Sequence, residues 1–291
     1  MKLKIVSYLA PNWFWFYKAV AAYLERVLKI ETQIISGPSD PLLDLMWLQD
    51  EFDLAFICGL PFIRYDQMVP NRLQAVVAPV MHSPRYQNRP IYFSDIIVNA
   101  ASNLSTFVDL KGKIWCYNDP GSNSGYNLLY YHLLEKGYAV DFIGKAIQSG
   151  SHQRSISWVV EGKADFAAID STVLEQELRD FPELSQHLRV VDSIGPNPMP
   201  PIVAKVDLGA EFIHRIQSAL LSPDAELLAA MEKAGVQRYV AVESRDYDAL
   251  AKLSAGACQL CSDTLKGVAT QTKPAFAGFK SFSPRRRASF L

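Results

Sequence analysis

Short apolar runs alternate along the chain with stretches in which apolar side chains recur every three or four positions, the signature of strands interleaved with helices. Residues 5–9 read as a strand, 11–14 as a loop, and 16–28 as a helix with Val20, Tyr23, Leu24 and Val27 on one face. Residues 31–35 alternate like a strand and 41–49 show helical spacing. The run 52–57 is nearly continuous in apolar residues, as a buried parallel strand would be, and ends at Cys58-Gly59-Leu60-Pro61. Residues 74–80 add a strand, 84–90 a polar basic loop, and 91–99 a strand that leaves this first unit. A second alternation follows. Strands are expected at 114–117, 142–147, 165–169 and 188–193, with helices at 154–160 and 172–179 and another carrying Tyr126, Leu129, Tyr130 and Leu133 on one face. The run Gly195-Pro-Asn-Pro-Met-Pro-Pro201 removes several backbone donors and predicts a rigid extended crossing that residues 202–204 continue. Helices at 210–221 and 225–234 and a short strand at 239–242 then complete the first unit.

This order argues for an α/β protein of two lobes, each a mostly parallel sheet flanked by helices. Two hinge crossings, near 91–99 and 193–203, join them. The expected limits are residues 1–95 plus 200–253 for the first lobe and 96–199 for the second, with 254–291 a flexible tail.

Composition narrows the function. The 291 residues are 49% hydrophobic and 20% charged with a formal net charge of −1, so nothing draws the body of the protein to nucleic acid or anionic lipid. The apolar part of the N-terminus is too short for an export segment, and no apolar stretch is long enough to insert in a membrane. On that reading the chain is cytoplasmic if its start is complete. Cys58 and Cys116 sit in apolar runs and read as small core residues. Cys258 and Cys261 form a Cys-x-x-Cys with no second pair and no His at zinc spacing. No cofactor or metal is expected. Arg285, Arg286 and Arg287 read as part of a solvated terminus.

The stretch with most chemistry is Asp119-Pro-Gly-Ser-Asn-Ser-Gly-Tyr126, between a strand and a helix. Its helix start would offer unpaired backbone N–H groups, the hydroxyls of Ser122 and Ser124, and the positive end of the helix dipole to an anion. The competing use for either Ser is a plain N-cap. The aromatic cluster Trp13, Phe14, Trp15, Phe16 and Tyr17 follows the first strand, where rings line a pocket or fill the core.

Several segments, in order, resemble the substrate-binding proteins of phosphate, phosphite and phosphonate ABC importers, the PhnD-like family with the type 2 periplasmic-binding-protein fold. They are Phe52-Asp-Leu-Ala-Phe, Tyr92-Phe-Ser-Asp-Ile-Ile-Val, Asp109-Leu-Lys-Gly-Lys, Asp119 to Tyr126, Ser149-Gly-Ser-His152, Gly162-Lys-Ala-Asp-Phe-Ala-Ala-Ile-Asp170-Ser, the Pro-rich run at 195–201, and Gly235-Val-Gln-Arg-Tyr-Val. The resemblance implies that Ser122, Asn123, Ser124 and Gly125 with His152 hold an oxyanion from the second lobe, that Tyr92 closes over it, and that Asp170 is a polar residue at a strand end. Asn123 stands where the family often has Thr or another small polar residue. From the residues themselves His152 also fits a surface or capping role, and Asp170 an N-cap before Ser171 and Thr172.

If close by, Asp170 would accept a hydrogen bond from a protonated anion or hold His152 in one tautomer. Carboxylates that recognise the amine of aminoalkylphosphonates are not evident, which favours a small oxyanion. The resemblance further implies a monomeric, periplasmic component of an importer whose partners are a small oxyanion and an ABC permease. Two other readings share the fold: a thiamin-related enzyme, with Cys58 and Cys116 as the only plausible thiols, and a cytoplasmic sensor.

Overall fold

In the computed structural model, which describes residues 2–38, 41–49, 51–138 and 140–251, the chain builds two sheets with helices packed against them. The expected tail, with Cys258, Cys261 and the three arginines, lies outside the described residues.

The chain starts with strand β1 (Lys2–Ser7), helix α1 (Phe14–Leu28), β2 (Glu31–Ser36), the short α2 (Leu45–Leu48), β3 (Leu54–Phe56), α3 (Gly59–Met68) and β4 (Leu73–Met81). It crosses into β5 (Ile91–Asn99), β6 (Ile114–Tyr117), a π-helical turn at Asn123–Asn127 that runs into α4 (Leu128–Glu135), β7 (Lys145–Gln148), α5 (His152–Val160), β8 (Phe166–Asp170), α6 (Ser171–Asp180) and β9 (Leu188–Pro198). It returns through β10 (Ile202–Lys205), α7 (Ala210–Leu221), α8 (Ala225–Ala234) and β11 (Val236–Ala241).

The first sheet has the order β11-β4-β10-β3-β1-β2 and the second β7-β6-β8-β5-β9. The expected parallel core is present in β2-β1-β3 and in β7-β6-β8. The strands that carry the chain between sheets run against their neighbours: β10 is antiparallel to β3 and β4, and β5 to β8 and β9. Both sheets are therefore mixed, because a chain that enters a sheet from the other lobe arrives from the opposite end.

Side-chain pattern explains the layers. Every residue of β3 and β8 is buried, as expected of strands covered on both faces. Helix α1 buries Phe16, Val20, Leu24 and Leu28 in the first core, and each such side chain contributes about 1.5–3 kcal/mol through area removed from water. Helix starts are set by capping: Ser151 accepts from Arg154 N, Asp170 from Thr172 N and Asp224 from Leu227 N, worth about 1 kcal/mol apiece.

Several expected strands shift, among them the last, which runs from Val236 to Ala241 rather than over 239–242. Strand β1 ends at Ser7 rather than at residue 9, and Tyr8 and Leu9 turn into the space between the lobes. Strand β7 is confined to Lys145–Gln148, because Phe142 belongs to a preceding turn where it stacks on Phe107 at 5.3 Å between ring centres. Strand β9 runs on to Pro198 through the run expected to be only a crossing. It is the edge of its sheet, where prolines need not donate to a further neighbour.

The two crossings lie side by side, with Ile91 opposite Pro198. A charged hub clamps them. Arg85, in the loop before β5, makes a two-pronged pair with Asp95 at 2.6 and 2.9 Å, and Ser193 of β9 donates to the same carboxylate at 2.7 Å. Asp95 is 1% exposed, so removing Arg85 would strand a buried charge at a cost of about 3–5 kcal/mol. Among the described residues no helix is long and apolar enough to cross a membrane.

Candidate functional site: a cleft between the lobes

Strands β1, β3, β6, β7 and β8 all point their carboxyl ends at one cleft of about 310 Å³, the place where open α/β sheets bind ligands. The loops after those strands supply its lining: Tyr8 and Leu9 after β1, Cys58 after β3, Asn118 and Asp119 after β6, Gly150 to His152 after β7, and Asp170 itself.

The turn that opens the α4 segment forms the second lobe's wall. Ser122 is its N-cap, with Oγ accepting from Gly125 N at 3.1 Å, so its hydroxyl proton remains available to a ligand. Asn127 braces the turn by donating from Nδ2 to Ser122 O at 2.7 Å, and Ser94 Oγ donates to Ser124 O at 2.7 Å. Gly125 is there for close approach: a Cβ at this position would collide with Asn118 Oδ1 and stand 3.1 Å from His152 Cε1.

His152 opens α5, and its Nε2 lies 3.1 Å from Ser124 Oγ while Nδ1 is buried with no protein partner. Burial pulls the imidazole down to about 4, so it is neutral in the ligand-free cleft. A bound anion would favour its charged form. The loop that delivers it is pinned to β6 by Ser149 Oγ, which donates to Tyr117 O at 3.0 Å and shares a hydrogen bond of 2.6 Å with Ser155 Oγ.

Asp170 is both N-cap and cleft residue. Its Oδ1 accepts from Thr172 N at 2.8 Å and Thr172 Oγ1 at 2.7 Å, and burial raises the carboxyl to about 6 against the pull of those bonds. The expectation that it fixes the tautomer of His152 is not met, since its hydrogen bonds go to the start of α6.

Tyr92 stands behind the wall rather than on it. It is 1% exposed and accepts a 2.7 Å hydrogen bond from Asn123 Nδ2. Of the residues predicted from sequence, Ser122, Asn123, Ser124, His152 and Asp170 thus share the cleft, while Tyr92 and Gly125 support it.

Pattern reading missed most of the first lobe's wall. Tyr8, Ser36 and Cys58 line it, as do Pro38, Pro41 and Pro61, and Gln153 was missed in the second lobe. Of the aromatic cluster, Trp13 and Tyr17 reach the cleft and Phe16 fills the core. Cys58, expected in the core, lines the cleft instead. Burial holds its thiol up at about 11. A neutral thiol is a poor nucleophile, which disfavours Cys58 in that role. Trp13 Nε1 and Asn12 Nδ2 cross the gap, donating to Thr172 O at 3.3 Å and Val173 O at 3.2 Å. Among the described residues no cluster of three or more His, Cys, Asp or Glu is placed to hold a metal.

Two lobes joined by paired crossings, with a polar turn facing a second wall across a cleft, define a clamp-type binding protein. The profile of the family described as "ABC transporter, phosphonate, periplasmic substrate-binding protein" matches residues 14–247, and the chain belongs to that family. The chain is also similar to the probable ABC transporter phosphite binding protein PhnD1 of Prochlorococcus marinus (strain MIT 9301), 24% identical over 206 residues that span 68% of this chain and 69% of the relative. Among solved structures it resembles a binding protein component of an ABC phosphonate transporter from Pseudomonas aeruginosa, with TM-score 0.77, 14% identity and coverage of 90% of this chain and 88% of that one. Prochlorococcus PhnD1 in complex with methylphosphonate gives TM-score 0.76 at 20% identity, covering 87% and 97%. The chain is accordingly the substrate-binding component of an ABC transporter, with a ligand and a permease as partners, and not an enzyme.

Proposed function

We propose that the cleft captures a small oxyanion of the phosphate, phosphite or phosphonate class, held by Ser122, Asn123, Ser124 and His152 of the second lobe and covered by the first. The observation that carries this is the meeting of the Ser122–Ser124 turn with His152 at one wall of the cleft, two hydroxyls and an imidazole nitrogen with hydrogen-bonding capacity to spare. Donors of this kind, together with a helix start, satisfy several oxygens of one tetrahedral anion. The phosphite-binding relative and the methylphosphonate complex support the class.

The lobes, expected as residues 1–95 with 200–253 and 96–199, move about the crossings, and pairing of β5 within the second sheet from Ile91 supports a first boundary just before that strand. Pairing of β5 with β9 from Ile91 and Pro198 onward supports a hinge at the ends of those strands. The protein acts as a monomer in the periplasm. Calorimetric titration with phosphate, phosphite, methylphosphonate and a small sulfonate tests the reading. At least one phosphorus oxyanion should bind, and His152→Ala and Ser124→Ala should each weaken it; unchanged affinity in both variants would refute this site.

A further inference from the structure

A cleft built for anions would be expected to carry cationic side chains, yet among the described residues lining this one there is no Lys and no Arg. It carries two carboxylates instead, Asp119 and Asp170, both at least nine-tenths buried. The wall also holds an acceptor that no protein group satisfies. Tyr92 Oη accepts from Asn123 Nδ2 at 2.7 Å. With its amide turned that way, Asn123, which is 1% exposed, leaves Oδ1 buried and unpartnered.

A buried acceptor left without a donor is expensive, and so is a carboxylate set beside a bound anion. One kind of ligand relieves both: an oxyanion that still carries a proton. Its charged oxygens face the Ser122 and Ser124 hydroxyls and His152, which once charged by the anion donates from Nε2 to Ser124 Oγ and from Nδ1 to the ligand, so that the Ser124 proton is free for the anion. Its O–H points at an acceptor.

We infer that the cleft takes its oxyanion in a protonated, singly charged form and reads the ligand's own O–H, with Asp170 and Asn123 Oδ1 as the receiving groups. This rests on the cleft being the anion site and adds which ionisation state it selects. Around Asp170 the other ionisable groups are Tyr17 from α1, Cys58 before α3, Tyr86 from the loop before β5, and Tyr92 and Asp95 from β5. Burial holds Tyr17, Cys58, Tyr86 and Tyr92 neutral, and the Asp95 carboxylate is paired with Arg85, so none of these groups competes with Asp170 for the ligand's proton.

The test is a matched pair of ligands. Near neutral pH methylphosphonate exists largely as a monoanion with one O–H, and methanesulfonate is a monoanion of the same shape with none. Wild-type protein should bind methylphosphonate at least about tenfold more tightly, because the sulfonate leaves buried acceptors unpaired. That ratio should shrink as pH rises through the second ionisation of the phosphonate. Asp170→Asn keeps a good helix cap and supplies N–H in place of a carboxylate, so it should bring the two affinities together. Equal wild-type affinities with no pH trend in their ratio would overturn the inference while leaving the anion site intact. Failure of both ligands to bind at any pH would overturn the site as well.

Discussion

On one side of the cleft stand Ser122, Asn123, Ser124, His152 and Asp170, each held by hydrogen bonds to its own lobe; on the other stand Tyr8, Trp13 and Tyr17 with Pro11, Pro38, Pro41 and Pro61. The prolines have no N–H, and the rings present carbon to the gap, so this wall excludes water without offering many donors. The difference supports the proposed division of labour, in which the second lobe recognises charge and the first closes over it. Water excluded by the apolar wall strengthens every hydrogen bond made by the polar one.

The comparison can be broken most forcefully at Gly125. Gly125→Val would push Asn118 and His152 out of place, and affinity for the anion should fall by about 100-fold or more, the scale of losing two charge-assisted hydrogen bonds. Calorimetry on a variant whose melting curve shows it folded decides this. Next come Ser124→Ala and His152→Ala, each removing one partner of the 3.1 Å pair and each expected to lower affinity by about tenfold to hundredfold. A loss of less than about twofold in both would place the charge recognition elsewhere.

Stability gives a third view of the same wall. Asp170 is raised from 3.8 to about 6, so the folded protein prefers it protonated. The burden of burying its charge is absent below the unfolded value, grows as pH rises from 3.8 to about 6, and is constant above that. Asp170→Asn should therefore stabilise the ligand-free protein by on the order of 2–3 kcal/mol near neutral pH and by little near pH 4. Melting temperatures of both proteins across that range provide the check, and a gain that is the same at both ends would contradict it. His152 works in the opposite sense. With its value pulled from 6.5 to about 4, it costs nothing above 6.5 and destabilises the empty protein as pH falls toward 4.

The smallest effects belong to the first lobe. Tyr8→Phe removes the 2.7 Å hydrogen bond to Asp44 Oδ2, which should cost about 1 kcal/mol in stability yet leave affinity within about threefold. Trp13→Phe keeps a ring but loses the donor to Thr172 O, and should weaken binding by about fivefold through a less favourable closed state. First-lobe variants as damaging as Ser124→Ala would show that both walls recognise charge.

What could be read in the sequence divides along the same line. The second-lobe wall is local: Ser122 to Gly125 is one turn between a strand and a helix, and His152 and Asp170 each sit where a strand gives way to a helix. The first-lobe wall is assembled from distant loops. Tyr8, Ser36, Cys58 and Pro61 carry no shared pattern, and only pairing of β2 and β3 with β1 brings their loops together. Tyr8 was hidden because β1 ends earlier than its apolar run suggests. The prolines of 195–201 were legible as an obstacle to helix, but their place on an edge strand depends on sheet order, which no local feature encodes.

The claim that the second lobe's turn and imidazole grip an oxyanion is tested most directly by a crystal structure grown with methylphosphonate. The account predicts phosphonate oxygens within about 3.2 Å of Ser122 Oγ, Ser124 Oγ and His152 Nδ1, beneath the Tyr8 and Trp13 wall. A phosphonate bound elsewhere, with those three atoms still turned to one another or to solvent, would contradict it.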